Sequence, residues 1–478
     1  MTKQSIIKSA VGILTVLSLT ITGCKDFLDV NNNPNKAASA EPKLLLPSAQ
    51  TAIALVLGND FQIYGGIWSQ YWTQNFGNSQ YKSIEQYVLQ GSSFDRPWQT
   101  LYADAMEDLQ LIINQKGVAK YRQYAAISML LKAYDLQLLT DAFGDIPLKD
   151  AVGGESGNLS PKYDSQKEVY DSIFSIIDQA KAMIDPASEF VPGSEDLMFA
   201  GDMDQWTKFA NTLKLRAYLR LSEVDAAKAQ AGITALQDAD FLTDDAKITY
   251  ISTGGNQNPL YAELVALGQY RQLRASRTLV SQMTALNDPR ITAYFQLSGG
   301  VIKSMPQGSY DTNPNGASTP VPAMGADPLT PTSALAPVKF MSSYESYFLQ
   351  AEAVARGWMT GDATTLYQKG ITASFTAYNA VPGTYITTQV AAFPATKAAQ
   401  IGAIITQKYF AMACNQGFEA WTEWRRTGYP TFFVTPVVSS LPAGTFPARF
   451  LYPNTELTRN PNFPGAKLIT DKVWWDVN

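Results

Sequence analysis

The sequence predicts a mainly α fold built from paired helices. Two observations carry that expectation. Apolar residues recur at three- and four-residue steps through most of the chain, the spacing that lines one face of a helix. Glycine, proline or asparagine closes several of these stretches, as helix stops do. At 46% hydrophobic and 17% charged, the 478-residue chain also has enough apolar surface for a substantial core.

The first helical pattern starts near Leu44 and runs past Leu57 to Gly58-Asn59. Tyr64 to Phe76 follows, the densest aromatic and amide segment in the chain. From Phe94 to Ile113, Trp98, Leu101, Tyr102, Ala105, Leu109 and Ile112 form one amphipathic stripe. Ile127, Leu130, Leu131, Tyr134 and Leu138 form another over Tyr124 to Leu139, which ends at Asp141-Ala142-Phe143-Gly144-Asp145-Ile146-Pro147. Further helices are expected over 165–184, 205–222, 225–237, 277–286, 341–356, 362–379 and 397–414. Pairs of this length build tetratricopeptide-type units, but no repeat of about 34 residues is recoverable, so irregular stacking is expected. Two regions break the rhythm. Residues 298–337 hold seven prolines and five glycines and read as a long ordered loop or insertion, of a length that is usually functional or disordered. Residues 429–478 read as an irregular tail laid along the helical body, with Phe450, Tyr452, Phe463, Trp474 and Trp475 as its aromatics.

Residues 1–23 read as a signal peptide. Lys3 and Lys8 precede an apolar run from Ala10 to Ile21, shorter than the about 20 residues a spanning helix needs. Thr22-Gly23 before Cys24 resembles a bacterial lipobox, which implies cleavage there, a diacylglyceryl thioether on Cys24 and an acylated amino terminus. Each buried methylene contributes about 0.8 kcal/mol and stable anchoring takes two chains, so this modification holds a protein on a membrane. Residues 24–43, including Asn31-Asn32-Asn33-Pro34-Asn35, read as the lipidated terminus and spacer, and 44–478 as a single domain.

Composition also excludes. A net charge of −5 supplies no basic field, which argues against nucleic acid as a partner. With lipid on Cys24, Cys414 has no disulfide partner and reads as a buried small hydrophobe in a helical run. The chain has no histidine, which removes Ser-His-Asp and Cys-His nucleophile pairs and the commonest zinc ligand sets. No acidic cluster has convincing metal-ligand spacing, and no cofactor is expected. Glycoside hydrolysis by paired carboxylates stays open, because it needs only two acids.

Six segments, in order, resemble the SusD/RagB family of surface lipoproteins. They are Cys24-Lys25-Asp26-Phe27-Leu28-Asp29, then Leu130-Leu131-Lys132-Ala133-Tyr134 leading to Thr140–Leu148 with its Gly144-Asp145-Ile146-Pro147 turn, and Trp206–Ala217. Tyr347–Ala353 is similar to the family's "LxRAEA" helix with Gln350 in place of arginine, and Asn415–Gly428 to its "EGxRxxDLRRxG" segment. Phe450–Asn462 resembles the "YPxxExxxNPN" tail. The resemblance implies a mainly helical SusD-like fold with about four tetratricopeptide-like pairs plus loop-rich segments. It also implies a non-catalytic lipoprotein on the extracellular face of the outer membrane. Such a protein captures oligosaccharides, or sometimes peptides, for a partner SusC-like TonB-dependent transporter. Lys25-Asp26 resembles the family's signal for that outer face.

Candidate ligand contacts come from two places. Trp68, Tyr71, Trp72, Phe76 and Tyr81 offer aromatic planes for the C–H face of a pyranose, and Gln70, Gln74, Asn75 and Asn78 offer paired donors and acceptors for its hydroxyls. The competing expectation is core packing, since Trp68 and Trp72 stand four apart as a buried helix stripe does. The insertion adds Tyr310, Asp311 and Asn313. Asp141 and Asp145 read as capping and turn residues, and Arg425, Arg426 and Glu419 as residues that hold the tail to the body. A lipid-anchored hydrolase and a protein-binding scaffold are the rival readings.

Overall fold

Several helix starts in this chain are set by short polar side chains whose oxygens accept the free backbone N–H groups of the first turn. Ser165 does so with Glu168 reaching back to the Ser165 amide (3.1 Å). Asp202, Asp225, Ser276, Ser342 and Asp362 cap later helices in the same way. The computed structural model describes residues 40–478 except 155–156, 267, 269–271, 298 and 313–330. The signal peptide, Cys24, the spacer up to residue 39 and Asn313 lie outside the described residues.

The principal helices are α1 (Pro42–Gly58), α2 (Asp60–Trp68), α3 (Glu107–Ile113), α4 (Arg122–Phe143), α5 (Gln166–Lys181) and α6 (Met203–Arg220). They continue with α7 (Ala226–Thr234), α8 (Arg277–Ala285), α9 (Ser343–Ala355), α10 (Ala363–Ala377), α11 (Lys397–Met412) and α12 (Gly417–Thr427). Consecutive helices pack as neighbours: α3 on α4, α4 on α5, α5 on α6, α6 on α7, and α9 on α10. The helix-pair architecture expected from the periodicity is therefore present. Two antiparallel ribbons are additional: β1 (Trp72–Gln74) pairs with β3 (Leu273–Ala275), and β2 (Ala246–Ile248) with β4 (Val338–Met341). Another difference lies in the Phe94–Ile113 stripe. Its middle, Thr100–Met106, is π-helical, and the wider turn carries Leu101 and Ala105 inward together.

A buried polar network locks α12 into this body. Arg220 of α6 donates to both carboxylate oxygens of Glu419 (2.7 and 2.8 Å), to Asp141 of α4 (3.2 Å) and to Glu423. Arg426 grips Glu352 of α9 through two bonds of 2.7 Å. Arg425 donates to the carbonyls of Asp141 and Ala448 (2.9 Å each), joining α4 to the C-terminal segment. That segment is pinned to the end of α4: the Phe450 amide donates to the Ala142 carbonyl (2.7 Å), Tyr452 Oη to the Asp145 carbonyl (2.7 Å), and Trp475 Nε1 to Asp141 Oδ1 (2.7 Å).

A candidate glycan-binding rim

The aromatic and amide segment divides sharply. Helix α2 ends at Trp68, Gln70 turns the chain with a positive φ of 57°, and the strand β1 follows. Everything up to β1 faces inward. Trp68 packs edge-on against Trp421 (4.8 Å between centroids) and Phe450 (5.4 Å), and its Nε1 donates to the Ile84 carbonyl (3.1 Å). Tyr71 Oη donates to the Tyr409 carbonyl (2.6 Å), and Trp72 is fully enclosed in β1. Gln70 spends its amide on Val434, as donor to the carbonyl (2.7 Å) and acceptor from the amide (3.1 Å). For Trp68, Tyr71 and Trp72 the ligand-contact expectation is therefore corrected: their rings are core, held by partners more than 300 residues away in sequence for Trp68 and Tyr71.

The remaining expected contacts gather at one rim. Gln74, Asn75 and Tyr81 are themselves buried, which corrects their reading as direct aromatic or amide contacts. They instead build the loop that carries the exposed groups. Gln74 Oε1 accepts the Tyr81 amide (2.8 Å), and its Nε2 donates to Gln272 Oε1 (3.1 Å). Gln272 accepts the Gln80 amide (3.1 Å) and donates to Asn78 Oδ1 (3.4 Å). Tyr81 Oη donates to Glu263 (3.2 Å). This ladder of amides presents half-exposed Phe76, Asn78 and Gln272 with exposed Gln80 along one edge.

The start of the proline-rich insertion closes onto the same rim. Lys82 Nζ pairs with Asp311 (2.8 Å) and lies 4.6 Å from the centroid of the Tyr310 ring. Asp311 is exposed, whereas Tyr310 is buried, so its ring supports Lys82 and the reading of Tyr310 as a ligand contact is corrected too. Gln307 Nε2 donates to the Trp72 carbonyl (2.9 Å). Beneath sits Glu85, wholly buried. Its carboxylate accepts the Thr73 hydroxyl (2.6 Å), the Gly308 amide (2.9 Å) and the Gln74 amide (3.0 Å). Burial pushes its pKa up to about 7, against the pull of those three donors.

Lys82, Glu85 and Gln272 were not singled out from sequence. Lys82 and Glu85 sit in the five-residue helix Lys82–Gln86 and Gln272 in the bend before β3, stretches too short for a period or motif to mark them. Asp145 serves the next helix start as expected, whereas Asp141 lies within α4 and, in place of a cap, anchors a tertiary network. Asp141 is buried and bonded by Tyr170 (2.6 Å), Trp475 and Arg220, and Asp145 Oδ1 accepts the Gln166 amide (3.0 Å) at the start of α5. Asp141 is thus enclosed with its carboxylate fully engaged, which removes it as a general acid or base.

A stack of helix pairs with a ribbon-edged polar rim places the chain in a class of helical proteins that comparison with known proteins identifies. The chain belongs to the SusD-like (SusD/RagB) family: residues 34–453 match the family described as starch-binding and associating with the outer membrane. Among solved structures, a chitin-binding protein aligns at a TM-score of 0.78 and 25% identity, covering 92% of this chain and all of the other. A chitin-binding SusD homologue from Flavobacterium johnsoniae aligns at 0.76 and 26% identity, covering 91% and 98%. A SusD homologue from Bacteroides vulgatus shares the fold at 0.76 and 22% identity over 91% and 98%. No functionally curated protein matches the chain. Two of these relatives are described as chitin-binding.

Proposed function

We propose that this protein is a lipid-anchored receptor on the outer face of the outer membrane that binds oligosaccharide at the Phe76–Lys82 rim and passes it to a SusC-like transporter. The observation that supports this most is the convergence of the two sequence-predicted regions. The 74–86 segment and the insertion stand far apart in the chain yet meet through Lys82–Asp311 and Glu85–Gly308. That convergence places a half-exposed ring, three side-chain amides, an ammonium and a carboxylate on one edge, the mixture that sugar hydroxyls and C–H faces require. Chitin binding by two of the aligned relatives favours glycan over peptide. Lipidation at Cys24 supplies the anchor, and cleavage after residue 23 supplies the mature end.

Isothermal titration of the soluble chain with chito-oligosaccharides, malto-oligosaccharides and a peptide mixture tests the ligand class. Saturable binding of either glycan, with no release of reducing sugar, is expected. Binding of peptide alone would contradict the glycan reading. For the anchor, Cys24→Ser should abolish incorporation of labelled palmitate and surface exposure, and the wild-type lipoprotein should co-purify with a β-barrel partner.

A further inference from the structure

A second cleft, of about 810 Å³, opens between the β2–β4 ribbon and α10 over one end of α9. Its size falls within the roughly 300–1,000 Å³ of small-ligand sites. Along α10, Thr365, Gln368, Thr372 and Thr376 line it at three- and four-residue steps, all exposed. That row extends over about 16 Å at roughly 1.5 Å per residue, so it suits an elongated ligand. The hydroxyls of Thr372 and Thr376 donate to the carbonyls of Gln368 (2.9 Å) and Thr372 (3.2 Å), which orients their oxygens as acceptors. Gln368 adds an amide with both functions.

The charges say what kind of chain fits. Lys339, buried in β4, pairs with Asp245 (3.0 Å), which also accepts the Ser343 amide (2.9 Å), so these two charges cancel within the lining. Asp244, Lys247 and Lys369 leave signs mixed at the mouth, with no single-sign field to select an ion. Tyr347 of α9, half-exposed, is the aromatic surface in the lining. The Lys369 ammonium lies 5.9 Å from its ring centroid, near the outer limit of a cation–π contact, so a stacked sugar can replace it.

From this arrangement we infer that the Tyr347–α10 cleft is a second binding site, separate from the Phe76 rim, for a neutral oligosaccharide. The inference rests on the glycan-receptor reading but uses none of the rim residues. Two sites on one chain would hold a long glycan at two points, raising retention through effective concentration.

Titration with a chito-oligosaccharide probe separates the two sites. Wild-type protein is expected to show two classes of site. Thr372→Arg, a bulky change at an exposed helix position, should remove one class with the melting temperature unchanged, and Tyr347→Ala should weaken the same class roughly tenfold. Phe76→Ala with Gln272→Ala should remove the other class only. If Thr372→Arg and Tyr347→Ala leave both classes intact, or if a single class exists and the rim variant abolishes it, the cleft is not a glycan site while the receptor reading stands. If wild-type protein binds neither chito- nor malto-oligosaccharide, both readings fall.

Discussion

Gly65 of α2 and Gly417 of α12 let two helices meet backbone to backbone. A Cβ on Gly65 would lie 2.2 Å from the Phe418 amide nitrogen, and one on Gly417 would lie 2.5 Å from the Gly66 nitrogen. Neither obstacle is a movable side-chain end. Gly65→Ala should therefore force the helices apart and lower stability by about 1–3 kcal/mol or more. Gly117→Ala, where nothing lies within 4 Å of the added carbon, should leave the thermal midpoint unchanged. Thermal denaturation of the two variants decides it: similar midpoints would mean the contact yields easily.

The same helix is held by charge. Arg220 has three carboxylates around it, from Asp141, Glu419 and Glu423, all buried. Removing one partner from a buried cluster strands the rest. Arg220→Met should thus cost about 3–5 kcal/mol in denaturant titration. Lys167→Met, which breaks an exposed pair with Asp171, should leave the midpoint essentially where it was.

Glu85 gives the rim a pH dependence of definite sign. Its folded pKa of about 7 stands above the ordinary carboxylate value of 4.5, so between those values the folded state holds more proton than the unfolded one. Its contribution is complete below about 4.5 and is lost as pH rises through about 7. Urea midpoints measured at about pH 5 and about pH 8 should differ more in wild type than in Glu85→Gln, which cannot ionise. The variant should also be less stable at low pH, because both oxygens of the protonated carboxyl can still accept from Thr73, Gln74 and Gly308, whereas an amide N–H₂ cannot. Equal pH slopes in the two proteins would show that Glu85 does not titrate in this range.

The helices were legible because burial of one face writes a period into the sequence. Ile127, Leu130, Leu131, Tyr134 and Leu138 are all buried on α4, but so are Ser128, Asp135 and Gln137, so that helix is enclosed on nearly every side where the spacing predicts one buried face. The ribbons were not legible, since three-residue strands such as Trp72–Gln74 are too short to show alternation. Aromatic-rich sequence could not separate core from surface either. Trp68 and Phe76 belong to one segment, yet one ring is sealed by Trp421 and Phe450 and the other reaches solvent. What decides between them is a partner distant in the chain. The rim was half legible for the same reason: its loop and insertion stand out in composition, whereas Gln272, which ties Asn78, Gln80 and Gln74 together, stands out in nothing.

The most direct measurement is the affinity of the Phe76→Ala, Gln272→Ala protein for chito-oligosaccharide at the rim class of site, read by isothermal titration beside circular dichroism. A loss of roughly tenfold or more with helicity retained is the predicted result. Wild-type affinity at every site in a fully folded double variant would contradict the rim as the place where glycan is held.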